Sequence, residues 1–466
     1  MSSVNDADGA RTGRVVLSVA ILASFVAFLD GTVTNVALPA VARDLGGGLT
    51  TQQWVVDAYL ITLGALILLA GSLSDAWGRV RMLRIGLVLF AVASVAIAAA
   101  PNAAWLISWR AVQGAGGALL VPSSLALITA HFDGERRSRA IGIWTAATTA
   151  AMLIGPVLGG VFVDLASWRW AFLINVIPIG ATLVLLTRPG MPRDDRSAGR
   201  VDLVGGALST AGLGATVFAL IAEPEVGWGS PAVWAPLMAG AGCLVLFVVR
   251  QRRVSDPVMP LDLFRSRNFW AGNLTTLFVY AALGLNGLVV AVYLQQGAGL
   301  SATAAGLALL PSTILMILFS ARAGQWAGRR GPRVFMTAGP TVMAVGALLL
   351  LSVQEDFDYS AQVLPSVVVF GAGLTLTVAP LTSAVLGAVP AERSGVASAI
   401  NNAVARVAGL IAVAMLGTVV SGTLDLDGFH RAAVVCAVLL VLGAMASWIG
   451  IRNPRTVPAE PAGGDA

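Results

Sequence analysis

Four ionisable side chains stand inside long apolar runs of this 466-residue chain: Asp30, Asp57, Arg110 and Arg406. An Asp, Lys or Arg at the centre of a membrane helix costs about 2.5–3.5 kcal/mol on insertion scales, so each needs a partner or a task. In Leu29-Asp30-Gly31-Thr32-Val33-Thr34-Asn35, Asp30 is about eight residues from one end of its run, ~12 Å along a helix. Thr34 lies one turn away on the same face. In Arg110-Ala111-Val112-Gln113-Gly114, Arg110 is roughly 9 Å deep from the same side, so the two charges share a depth. An Arg neighbour lowers a carboxylate pKa and burial raises it, so a site that alternates between the two environments loads and releases a proton. A purely structural ion pair would use the same residues. Asp57, in Trp54-Val55-Val56-Asp57-Ala58-Tyr59, reads either as a proton- or cargo-facing carboxylate or as a solvated edge group.

Other chemistries lack their parts. All 29 basic residues are Arg. Without lysine there is neither a P-loop to hold nucleotide phosphates nor a Schiff base. His131 and His430 are far apart, and no His/Cys cluster has metal-ligand spacing. Cys243 and Cys436 sit in apolar runs and read as small hydrophobes. No metal, cofactor or enzyme active site is expected.

The elements that must carry these residues are membrane helices. Composition is 57% hydrophobic and 11% charged, with mean hydropathy +0.83. A bilayer core takes about 20 apolar helical residues to cross. Fourteen such stretches can be drawn, at 15–38, 54–73, 83–100, 104–129, 141–163, 169–187, 202–222, 232–249, 269–293, 303–326, 333–352, 361–387, 397–420 and 430–450. The net charge of +5 and a pI near 10 would suit a nucleic-acid partner, but topology explains them. With both termini cytoplasmic, 24 of the 29 arginines fall on the inner side, as the positive-inside rule requires. The bilayer is therefore the expected environment and nucleic acid is not a partner. Arg11 and Arg14 precede a run too long for a signal peptide, which reads as an uncleaved first helix.

A repeat divides the chain. Gly71-Ser72-Leu73-Ser74-Asp75-Ala76-Trp77-Gly78-Arg79-Val80-Arg81 follows the second span, and Gly324-Gln325-Trp326-Ala327-Gly328-Arg329-Arg330-Gly331-Pro332-Arg333 the tenth. Both keep Gly at the first and eighth positions, and Gly328 stands where the first copy has Asp75. The offset of eight helices predicts two six-helix bundles, at 1–200 and 256–452, with two inserted helices and a linker at 201–255. The Pro/Gly/Ala-rich residues 453–466 read as a disordered cytoplasmic tail.

With these motifs, the chain resembles the major facilitator superfamily, and within it the fourteen-helix drug:proton antiporters. The resemblance covers all fourteen spans. The fold it implies is all-α, fourteen transmembrane helices as 6 + 2 + 6 with two pseudo-symmetric bundles. It assigns Gly71, Asp75, Gly78 and Arg79 to a cytoplasmic gate, where Asp75 faces the positive end of a helix in the other half. It assigns Asp30 and Arg110 to proton coupling on cavity-lining helices, where they are expected to meet, with Asp57 as a further candidate. Gly155, Pro156, Gly159 and Gly160 resemble the helix-five motif of antiporters, with Ala151 in place of an expected Gly; by physics alone they make only a close helix contact. Asn35, Gln113, Asn273 and Tyr280 are candidate cavity residues, and Asn401, Asn402 and Arg406 candidate gating groups.

The function implied is proton-coupled efflux of drugs, antibiotics or other amphiphilic toxic compounds by alternating access. The expected location is the plasma (inner) membrane, and the expected working unit is a monomer. The acids Asp30 and Asp57 hint at cationic amphiphiles as cargo. A proton-linked symporter for a small metabolite is the alternative, against which the antiporter-like helix five argues.

Overall fold

The computed structural model of the chain describes residues 2–132, 134–188, 201–255, 257–390, 393–421 and 424–453. Within these, the description leaves out the side chains of residues 2–11 and of Leu68, Asp75, Glu135, Ser138, Thr145, Ala146 and Thr149. Every regular element among the described residues is helical. In order they are α1 (Ser2–Leu45), α2 (Gly48–Trp77), α3 (Arg79–Ala98), α4 (Ala103–His131), α5 (Gly134–Leu165), α6 (Trp170–Leu173), α7 (Val176–Leu185), α8 (Leu203–Val226) and α9 (Pro231–Gln251). There follow α10 (Arg267–Gln296), α11 (Ala302–Ala308), α12 (Leu310–Arg330), α13 (Pro332–Leu349), α14 (Leu364–Leu386), α15 (Ser394–Ala414), α16 (Leu416–Val420) and α17 (Leu426–Gly450).

Eleven helical segments among the described residues are long and apolar enough to cross a membrane. The fourteen stretches drawn from sequence compare with these as follows. Span 54–73 falls in α2, one continuous helix over Gly48–Trp77. Span 141–163 falls in α5, where the apolar described stretch is the shorter Ala150–Leu165. Span 169–187 is broken at Ile174-Asn175 into α6 and α7. Large apolar side chains face outward along these helices, including Val88, Val92 and Val95 on α3, Met238, Val245 and Leu246 on α9, and Val438 and Met445 on α17. Such continuous apolar surface suits lipid rather than water.

Local chemistry sets the helix ends. Asn102, Asp202, Ser301 and Asp425 each accept a hydrogen bond from a backbone N–H in the first turn of the following helix. The α2–α3 and α12–α13 junctions each turn on one glycine, Gly78 at φ 101° and Gly331 at φ 88°. A positive φ at this point favours glycine, which lets one helix end and the next begin without a loop. These are the eighth positions of the two repeat copies.

The helices pack as two groups. In one, α1 packs on α4, α5 and α7, while α2 and α3 pack on α4; in the other, α10 packs on α15 and α17, α12 on α14, and α13 on α14 and α17. The α8–α9 hairpin lies along α2 and also touches α15 and α16. A large apolar core, running from Leu29, Val33 and Leu38 through Leu285, Val289 and Leu294 to Phe429, joins the groups at one end of the molecule. Towards the other end the core separates into two. One holds Val16, Leu83, Leu87 and Leu120; the other holds Phe269, Met336, Leu381 and Ile400. The molecule is thus closed at the end where α1 finishes and split at the end that carries Arg79 and Arg329.

Candidate functional site

Asp30 is the centre of a sealed polar network. Its Oδ2 accepts a 2.6 Å bond from Arg110 Nη1, and its Oδ1 accepts from Gln113 Nε2 at 3.0 Å and Asn175 Nδ2 at 2.9 Å. Arg110 Nη1 also donates to Gln113 Oε1, and its Nε to the Val55 carbonyl. Gln113 Nε2 further donates to Ser94 Oγ. The guanidinium lies 4.4 Å from the Tyr59 ring centroid and 5.7 Å from that of Phe172, where the ring quadrupoles favour it. The contributing groups come from α1, α2, α3, α4, α6 and the break between α6 and α7 that holds Asn175. None of Asp30, Ser94, Arg110, Gln113 and Asn175 is more than 1% exposed. A buried ion pair is tolerable only when its remaining donors and acceptors are also satisfied, and here they nearly all are. The exception is Asn175 Oδ1, which has no partner.

Asp57 has the opposite surroundings. It is fully buried in α2, and neither carboxylate oxygen has a hydrogen-bond partner. Thr34 Oγ1 and Gln52 Oε1 are likewise buried without a partner. Gln113, one of the expected cavity residues, belongs to the Asp30 network, whereas Asn35 is half-buried on α1.

In the second helix group the hydrogen-bonded polar cluster is uncharged. Asn273 on α10 donates to the Phe269 carbonyl, and its Oδ1 accepts from Asn401 Nδ2 at 3.2 Å. Asn401, on α15, also donates to Thr276 Oγ1 at 2.7 Å. Tyr280 lies two turns along α10, half-buried. Arg406, further along α15, sets its guanidinium 5.9 Å from the ring centroid of Phe28 on α1.

The groups meet through small residues and helix ends. A Cβ on Gly155 or Gly159 would strike Thr32 or Val33 of α1, and one on Gly160 would strike the α11 backbone at Ala302 and Thr303. The Pro156 carbonyl in turn approaches Gly306. Asp164, at the end of α5, accepts from the backbone N–H groups of Ala302 and Thr303, capping α11 across the seam. The break between α15 and α16 frees carbonyls that a membrane interior cannot leave unpaired. Gln53 Nε2 of α2 bonds those of Val413 and Ala414, at 2.8 and 3.1 Å. Glu223 on α8 accepts from Thr418 Oγ1 in α16 at 2.6 Å, so the inserted hairpin is pinned to the same break.

Of the expected gate, Gly78 forms the α2–α3 turn, Arg79 Nη1 reaches the Ala126 carbonyl of α4, and Gly71 has open space around it. The Asp75 side chain and residues 454–466 of the expected tail lie outside the described residues. Sequence reasoning missed Asn175 and Ser94, both part of the charged network. Their signal was a lone polar residue in an apolar run, which is too common to single out.

The comparisons with known proteins agree with this architecture. The chain is 36% identical over 417 residues to "Multidrug resistance protein Stp" of Mycobacterium tuberculosis (strain CDC 1551 / Oshkosh), covering 89% of this chain and 77% of that protein. It is 34% identical over 472 residues to "Puromycin resistance protein pur8" of Streptomyces alboniger, covering 96% and 93%. The crystal structure of a D-xylose-proton symporter superposes with a TM-score of 0.67 over 94% of this chain and 98% of that one, at 18% identity, a likeness of fold alone. The family model for the Major Facilitator Superfamily matches residues 20–413. An all-helical membrane body of two packed groups, with the Asp30–Arg110 pair buried inside one of them, therefore belongs to a family of transporters rather than enzymes: this chain is a member of the Major Facilitator Superfamily.

Proposed function

We propose that the chain is a proton-coupled exporter of amphiphilic drugs or antibiotics, and that it works by alternating access between two six-helix bundles. The observation that carries this reading is the pairing of two unlike carboxylates in one helix group. Asp30 is ion-paired with Arg110, while Asp57 is fully buried with no hydrogen-bond partner. A carboxylate buried without a partner is best accommodated with its proton on. When the closed end opens, water reaches both groups and the proton exchanges; when it shuts, Asp57 is again dry. Export rather than uptake is favoured by the resistance proteins among the relatives. The helix-five glycines, which let α5 ride directly on α1 and α11, provide the surface on which the groups rock.

In this reading fourteen membrane helices are arranged as six, two and six. The unit is α1–α7, then the α8–α9 insert at 201–255, then α10–α17. The α6–α7, α11–α12 and α15–α16 pairs each count as one broken span. The split, arginine-rich end and both termini face the cytoplasm of a plasma (inner) membrane, and a monomer suffices. Cargo enters at the split end and leaves as a proton returns.

The test is efflux from cells expressing the chain, measured for puromycin and for fluorescent lipophilic probes of either charge, with and without a protonophore. The reading expects efflux that collapses with the protonophore and in both Asp30→Asn and Asp57→Asn. Efflux that survives all three would remove proton coupling through these residues. Accumulation driven by the proton gradient would favour a symporter.

A further inference from the structure

This inference rests on the transport reading above, and names the cargo for it. Arg406 is the intramembrane charge that the Asp30 network does not use. It lies about twelve residues past the start of α15, ~18 Å along the helix and close to mid-membrane. Its Cβ is 3.4 Å from where a Cβ on Gly64 of α2 would stand. Phe28 of α1 lies beside the guanidinium, and Tyr59 of α2 and Tyr280 of α10 are within its electrostatic reach. Both helix groups therefore surround it at the seam.

None of these neighbours offers a counter-charge. Asp30 is engaged by Arg110, and Asp57 makes no bond. Among the described residues Arg406 has neither an ion pair nor a hydrogen bond. The cation–π attraction of Phe28 offsets only part of the cost of an unpaired arginine at this depth. Arg406 is itself partly exposed, however. Gly395, Ala399, Asn402 and Arg406 form one stripe of α15 at helical spacing, and each is partly or fully exposed. Beyond them, towards the closed end, Leu410, Val413 and Ala414 are buried. The stripe runs from the split end and stops at the arginine.

We propose that Arg406 is the cargo-recognition residue and that its counter-charge arrives with the cargo, an amphiphile bearing a carboxylate. A guanidinium binds a carboxylate through two parallel N–H donors, and the apolar body of such a molecule would lie against Phe28 and Tyr280. This reverses the cationic hint given by Asp30 and Asp57, since both are withdrawn from the reachable surface. Exchange of one such anion for one proton moves two positive charges inward per cycle, so its export responds to membrane potential as well as to the pH gradient.

The test uses three pyrene amphiphiles that share one four-carbon arm and differ only in the head: pyrenebutyrate, pyrenebutanol and pyrenebutyltrimethylammonium. Each is titrated into the purified full-length protein in detergent and followed by pyrene fluorescence anisotropy. The anion is expected to bind about tenfold or more tighter than the cation. Arg406→Gln should abolish that preference, while Arg406→Lys keeps the charge and should retain anion affinity within about threefold. Equal binding of the three heads, a preference for the cation, no saturable binding, or an intact anion preference in Arg406→Gln would each overturn the proposal. If Arg406→Gln does not fold, the ranking of the heads on the unaltered protein decides. Failure of the transport reading is distinguishable: it appears as loss of gradient-driven movement for every head, with this equilibrium ranking unchanged.

Discussion

Arg110 and Arg406 each stand within a long apolar helix, one in each helix group, and are treated in opposite ways. Arg110 is 1% exposed, bonded to Asp30, Gln113 and the Val55 carbonyl, and flanked by two aromatic rings. Arg406 is half-buried, with one ring beside it and no bonded partner among the described residues. The first is a charge whose cost is met inside the protein, so it can set the state of a neighbouring carboxylate. The second is a charge whose cost is left unmet, so it is available to something else. The same residue type is thus proposed to serve proton traffic in one group and cargo in the other, and the Asn273–Asn401–Thr276 cluster beside Arg406 carries no charge.

The largest effect should come from breaking the locked arginine. Arg110→Ala leaves Asp30 buried without its cation, at a cost of about 3–5 kcal/mol. Arg406→Ala removes an unpaired charge and should change stability by less than about 1 kcal/mol, in either direction. Thermal unfolding of the two purified variants side by side separates them, and equal losses would mean that Arg406 has a structural partner after all. The next effect sharpens the seam between the groups. Gln53→Leu leaves the Val413 and Ala414 carbonyls unpaired, a loss of about 1–3 kcal/mol. It should act on the closed end alone, seen as faster labelling of a cysteine placed at Val36 by a water-soluble thiol reagent.

The smallest effect tests the inserted hairpin, outside the membrane. Asp202 is pushed up by burial but held below the usual carboxylate range by bonds from Gly205, Arg250 and Gln251. A depressed folded-state pKa contributes stability that is present above the unfolded value and is lost as pH falls through the folded one. Asp202→Ala should cost about 0.5–2 kcal/mol near neutral pH, with the difference from the unaltered protein vanishing at strongly acid pH. A difference that did not shrink with acid would mean that the cap contributes through shape rather than charge.

What the sequence made legible follows from periodicity and depth. Asp30 and Arg110 could be placed opposite one another because rise per residue converts sequence position into depth, and the structure has them 2.6 Å apart. The repeated glycine turn was visible because Gly78 and Gly331 hold one place in two similar segments. Asn175 was not visible, because it enters the network through a break between α6 and α7 that no proline or glycine announces. The break before α12 has Pro311 to mark it, whereas the one at Met415 is stabilised from distant helices by Gln53 and Glu223. Contacts across the seam, such as Asp164 with the start of α11, depend on the register of helices more than a hundred residues apart. No local pattern encodes that register. The same is true of the surroundings of Arg406, whose neighbours Phe28 and Gly64 come from helices more than three hundred residues away.

The central claim is that proton movement runs through Asp30 and its arginine. Its most direct test is reconstitution into liposomes with a pH-sensitive dye trapped inside, followed by addition of a transported amphiphile. For the unaltered protein the account predicts a pH change in the lumen that is strictly dependent on cargo, and its loss in Asp30→Asn although that variant still binds the cargo. Cargo crossing without any pH change, or an undiminished change in Asp30→Asn, would contradict it.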